Sequence, residues 1–192
     1  TKLSAIYMSN IKKQSGLTFI EVLIALVILI SGILGAVAMQ MSAKKGSFDA
    51  MQRSVASALA QDIIEKIRSN NSDPNILELY QGTYGESRNS LPANRCQTPT
   101  ALCSSLQMAT NDIYEWESAL MGMDVTNVGV SNGGLIGARA CIKHVNNAIT
   151  VVISWQGRTN ISDGAADNIS FAQGCGAQSD SRHQIVINGF VF

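Results

Sequence analysis

Lys12-Lys13-Gln14-Ser15-Gly16-Leu17-Thr18-Phe19-Ile20-Glu21 joins a short basic leader to a long apolar run that carries one carboxylate near its start. From Val22 to Met39 no residue is charged, and only Ser31, Gly32 and Gly35 interrupt the aliphatic side chains. A helix needs about 20 apolar residues to cross hydrocarbon, so this run is long enough to span a bilayer. An acid at its mouth is costly in lipid and calls for a partner. Lys2, Lys12 and Lys13 precede Gly16 without any accompanying acid. They are expected to stay on the cytoplasmic side while the rest is exported.

The helical pattern continues past the apolar run. Phe48, Met51, Val55, Ala58, Leu59, Ile63 and Ile67 recur at spacings of three and four, the period of one helix face. Lys44, Lys45, Asp49, Gln52, Arg53, Asp62, Lys66 and Arg68 mostly occupy other positions, and Asp62 precedes Lys66 by four in the favourable order. No proline interrupts Leu17 to Ser69, and Asn70-Asn71-Ser72-Asp73-Pro74 ends the run. One helix over that length would extend about 80 Å. Gly32 and Gly35 weaken it locally, either to let it loosen or for ordinary helix packing.

Residues 73–192 read as a globular head. The stretch from Pro74 to about Thr110 is loop-like, with Gly82, Gly85, Pro92 and Pro99, and Asn111 to Leu120 reads as a short helix. Met121 to Gly134 is a glycine-broken connection or weak strand. Gly137 to Val145 and Ala148 to Trp155 are the clearest strands, joined by Asn146-Asn147, which tolerates a tight left-handed turn. Gln184 to Phe192 supplies a third strand. The expected architecture is α+β, a long N-terminal helix packed on a small antiparallel sheet. Its parts are a leader at 1–16, an apolar helix half at 17–41, an amphipathic half at 42–72 and the head at 73–192.

Charge and motif content narrow the function classes. The 14 basic and 14 acidic residues cancel, and removing the three leader lysines leaves an acidic excess. That body offers no general basic face for nucleic acid; beyond Arg95, only Arg139, Lys143, Arg158 and Arg182 are candidates for any stripe. Cys96, Cys103, Cys141 and Cys175 form an even set without C-x-x-C, and the histidines are only His144 and His183. Disulfides are therefore expected ahead of zinc. Three pairings are open; Cys96–Cys103 with Cys141–Cys175 is preferred because it needs one long closure. Asn160, Asp163, Asp167 and Asn168 miss the EF-hand spacing and read as a solvated loop. Met39, Met41 and Met51 read as helix-packing side chains, Trp116 and Trp155 as core aromatics, and His144 as a rim residue. Serine-nucleophile, Walker and Rossmann patterns are absent from the sequence. No cofactor, metal or enzymatic activity is expected.

The leader, over roughly residues 11 to 41, resembles the class III signal of type IV prepilins: Lys12-Lys13, Gly16, Leu17, Thr18, Phe19, Glu21, then the apolar tract. Leu17 stands where that family more often has phenylalanine. Glu65-Lys66-Ile67-Arg68-Ser69-Asn70, Asp112-Ile113-Tyr114-Glu115-Trp116 and Ile149 to Trp155 are similar to PilV-type minor pilins. The resemblance implies cleavage after Gly16 by a prepilin peptidase and an N-methylated Leu17 as the new terminus. Glu21 would be the assembly carboxylate, paired with the terminal ammonium of a neighbouring subunit. Implied partners are other major and minor pilins, the inner membrane and the pilus assembly platform, with no nucleic acid. The chain would be single-pass in the inner membrane before assembly and at the cell surface in the pilus afterwards, with roles in priming, adhesion or motility.

Three other readings compete. A type II secretion pseudopilin shares the leader and stalk; four cysteines and a large head favour the pilus system. Ala36-Val37-Ala38 fits an ordinary signal-peptide cut, which would release a soluble periplasmic binding protein beginning near Met39. The acid at the head of the apolar core and the helix period running past Ala38 oppose that reading. An uncleaved single-span anchor is the third. A start at Thr1 rather than methionine leads to the expectation of residues upstream.

Overall fold

The computed structural model describes residues 16–70, 74–87, 89–98, 102–123, 126–127, 130–131 and 133–191; the leader lysines lie outside them. Helix α1 runs Phe19–Ser69, followed by α2 at Pro74–Leu79, β1 at Gly82–Tyr84 and α3 at Ser105–Leu120. A two-residue pair, β2 at Thr126–Asn127 and β3 at Val130–Ser131, precedes the long strands. These are β4 at Arg139–Val145, β5 at Ala148–Gln156 and, after α4 at Ser170–Gln173, β6 at Arg182–Phe190. The chain divides into two compact units, Thr1–Ala43 and Lys44–Phe192, with the boundary inside α1. The layout is the α+β one expected.

In the second unit the main sheet is antiparallel in the order β1-β4-β5-β6. β4 and β5 meet through a two-residue turn in which Asn146 takes φ 54°, the left-handed conformation that asparagine tolerates. Central β5 is buried continuously from Val151 to Trp155 because both of its faces are covered. On one face Ile149, Val151, Ile153 and Trp155 pack with Ala56, Ala60, Ile63, Ile64 and Ile67 of α1. On the other, Val152 packs with Cys141, Cys175, Ala172 and Phe171. The fully buried alanines at 56 and 60 keep the helix surface flat where it meets the sheet.

Several details differ from the sequence reading. The stretch from Pro74 to Thr110 holds α2, β1 and the first turns of α3 rather than only loop. α3 begins at Ser105, not Asn111, because Ser104 and Gln107 form a reciprocal capping box: each side chain takes the other residue's backbone N–H. A fourth strand, β1, extends the sheet beyond the three expected. On α1 the buried face is Asp49, Gln52, Ala56, Ala60, Ile63, Ile64 and Ile67, so it is turned from the apolar set read from spacing. Met51 is 53% exposed and Ala58 is exposed, whereas polar Asp49 and Gln52 point inward. Lys66 turns away from Asp62 towards α3, standing 3.6 Å from Asp112 and 3.9 Å from Glu115.

Cys96 is joined to Cys103 and Cys141 to Cys175. The first closes a separation of 7 at the entrance to α3, the second a separation of 34 across the outer face of the sheet. Closure entropy scales with the logarithm of loop length, giving about 2 kcal/mol for the short loop and about 4 kcal/mol for the long one. Urea unfolding should therefore rank C141S/C175S as clearly less stable than C96S/C103S. Equal midpoints for the two variants would contradict that ranking.

Candidate assembly surface

The first unit presents Gly16 and Leu17 just before α1, both exposed. The helix opens where the Thr18 carbonyl accepts the N–H groups of Glu21 and Val22 at 3.1 and 3.3 Å. Glu21 lies in the first turn, where the helix dipole favours an acid. It is exposed, with no ion-pair partner among the described residues. On both sides of it every large apolar side chain is exposed, from Leu17 at 75% to Met41 at 60%. The Met residues at 39 and 41 are exposed among the described residues, so any helix packing they take part in is with a neighbour. None of this apolar stretch is buried among the described residues.

A helix apolar on all sides needs lipid or other helices around it. Two details fit such surroundings. Ser31 returns its hydroxyl to the Val27 carbonyl at 2.8 Å, so no polar hydrogen is left unsatisfied there. A Cβ added at Gly32 or Gly35 would meet nothing within 4 Å, so no approach among the described residues requires these glycines. Any close approach they serve comes from a neighbour.

In the second unit, polar side chains pin α1 to the head at successive heights. The buried Asp49 carboxylate accepts the N–H groups of Arg158 at 2.8 Å and Thr159 at 3.1 Å, and the Thr159 hydroxyl. Burial pushes its pKa up, but these hydrogen bonds outweigh it and hold the carboxyl below its ordinary value. Gln52 bridges the loop before β4, donating to the Gly134 carbonyl and accepting from the Ile136 N–H. Trp116 donates its indole N–H to the Leu59 carbonyl at 2.8 Å. Near the helix end, Tyr80 donates to Asp112 at 2.8 Å, and Asn70 donates to Tyr80 and to the Ser105 carbonyl. Burial raises the Asp112 pKa, while Tyr80 and Lys66 oppose the shift. Arg68 reaches the Phe190 carbonyl at 2.9 Å on β6.

The remaining sequence candidates separate in space. Trp116 and Trp155 are buried in the core, and His144 is half-buried on β4. Arg95 pairs with Glu115 and Arg139 with Glu86. Arg182 is 4% exposed, which removes it from any basic stripe. Nor is Asp163 part of a solvated loop: its two carboxylate oxygens take Nε and Nη2 of Arg182 at 2.6 and 2.8 Å. Glu117 was not singled out from the sequence, yet it is fully buried and accepts the backbone N–H groups of Gly85 and Asn89, fastening the loop after β1 to α3.

Arg182 holds the Asp163 carboxyl below its ordinary value against the effect of burial. A carboxyl lowered in the folded state stabilises above its unfolded value of about 4, and that contribution is lost as pH falls through the folded value. Asp163→Asn leaves a buried guanidinium unpaired and should cost about 3 kcal/mol near neutral pH. The gap between parent and variant should narrow as urea midpoints are followed below pH 4. A constant gap down to pH 2 would refute the assignment.

Residues 11–38 match the family model described as the prokaryotic N-terminal methylation motif, and residues 38–114 match the one described as type IV pilin Tt1218. No curated protein and no solved structure matches the chain.

Proposed function

The chain being a type IV pilin, we propose that it acts as a minor pilin, a structural subunit cut by a prepilin peptidase and built into a pilus through its N-terminal helix. The observation that carries this reading is the unburied apolar half of α1 behind a Glu21 that has no ion partner among the described residues. On this reading cleavage after Gly16 makes Leu17 the N-methylated terminus. The subunit waits in the inner membrane, with the Glu21 end towards the cytoplasm, until the assembly platform passes it to other pilins. Lipid and neighbouring helices cover the same apolar surface, so exchanging one for the other changes little hydrophobic energy. A lone carboxylate inside a dry bundle is heavily penalised, and the terminal ammonium of a neighbour's Leu17 relieves it. The head, pinned to α1 as a unit, supplies the contacts that distinguish this subunit.

Two measurements test the proposal. Mass spectrometry of the terminal peptide from host membranes should give N-methyl-Leu17; a terminus at Met39 would overturn it in favour of a released periplasmic protein. Glu21→Ala should be processed normally yet enter sheared pili at least tenfold less than the parent. Equal incorporation would remove Glu21 from assembly.

A further inference from the structure

Along α1 the charged residues after Glu21 are Lys44, Lys45, Asp49, Arg53 and then Asp62. Read as a ladder, Asp49 stands four residues from Lys45 and four from Arg53, a spacing that would neutralise both. The structure takes that acid away. Its carboxylate is turned into the loop at Arg158 and Thr159, and it forms no ion pair with either cation. Lys44, Lys45 and Arg53 are exposed and have no ion partner among the described residues. The same loop adds a fourth cation: the exposed Arg158 guanidinium lies 4.2 Å over the ring of Phe48, one turn beyond Lys44. Lys44, Lys45 and the Arg158–Phe48 pair therefore lie within about one helical turn of one another where unit two begins, with Arg53 two turns further along α1, and Lys44 is within one turn of Met41, the end of the apolar run.

We propose that Lys44, Lys45 and Arg158 form a cationic collar that binds the phosphate headgroups of anionic phospholipids in the outer leaflet of the membrane holding α1. The inference rests on the pilin reading of that helix. Lysine stems reach along apolar surface while their ammonium groups stay at headgroup depth, and clustered cations beside a span attract anionic lipid. The collar would retain the subunit against the leaflet until assembly. After Lys45 the chain holds 9 basic and 13 acidic residues. The positive band thus stands apart from the acidic balance of the rest of the second unit, which anionic lipid repels.

The test uses the full chain in nanodiscs containing phosphatidylcholine and phosphatidylglycerol, with retained lipids counted by native mass spectrometry. The parent should retain phosphatidylglycerol in preference, and K44Q/K45Q should lower that preference roughly tenfold. Lys143→Gln, an exposed lysine on β4 away from the collar, should leave it unchanged. Equal retention of the two lipids by the parent, or an unchanged preference in K44Q/K45Q, overturns the proposal. Should K44Q/K45Q keep its lipid but fail to enter pili, the lysines serve acids on a neighbouring pilin and the lipid reading falls. Circular dichroism of each variant establishes that the head is folded. The terminal peptide of the same samples reports N-methyl-Leu17 independently, so failure of the collar and failure of the pilin reading give different results.

Discussion

The first half of α1 is apolar on every side, and none of the described residues covers it. Between Leu17 and Met41 no large apolar side chain is buried, and an apolar helix in water is penalised by roughly 1.5–3 kcal/mol for each large side chain left exposed. The covering must come from outside, as lipid or as other helices. Both present hydrocarbon at similar density, so the segment suits both environments with no change of its own structure. What distinguishes the environments is the single acid. In a membrane Glu21 can sit at the interface near water, whereas within a helix bundle it needs an opposite charge. A purely apolar run would leave axial position free, because one turn of leucine and isoleucine packs much like the next. On the proposed reading, burying Glu21 in a bundle removes that freedom.

The second half of α1 faces the opposite difficulty. It is buried against a sheet whose connecting loops leave backbone N–H and C=O groups pointing at the helix, and an unpaired buried backbone group is costly. Asp49, Gln52 and Asn70 answer this by presenting side-chain acceptors and donors where the loops arrive. A fully aliphatic face would bury more hydrocarbon but strand those loops. The helix is thereby located along its axis as well as across the sheet. Sliding by one turn would break the bonds at Gly134, Ile136, Arg158, Thr159 and Ser105 together.

This division explains what could be read in the sequence. The apolar run, the strand pair around Asn146-Asn147 and the overall α+β layout depend on local period and turn chemistry, which composition carries directly. The rotation of the buried face does not, since Met51 and Ala58 fit a helix stripe as well as Gln52 and Ala56 do, and the loops decide between them. The early start of α3 was legible in Ser104-Ser105-Leu106-Gln107, a capping-box spacing that the polar character of the preceding stretch obscured. Glu117 and the Asp163–Arg182 pair were out of reach, because an acid among polar residues looks solvated until a distant loop or strand is folded against it.

Asp49 shows how one such contact propagates. By sequence it balances Lys45 and Arg53 on the same side of the helix; by structure it belongs to a loop more than a hundred residues away. Withdrawing it does two things at once. The head gains an anchor near the first buried turn of α1, and Lys45 and Arg53 are left without the ion pair that their spacing from Asp49 offers. The same hydrogen bonds place Arg158 over Phe48, adding charge where charge was already unbalanced. A local acid–base ladder would have supplied a few tenths of a kcal/mol per pair at an exposed surface, whereas a buried carboxylate accepting backbone N–H groups contributes roughly 1.5–3 kcal/mol per bond. The stronger interaction wins, and the uncompensated cations beside the apolar run are its consequence.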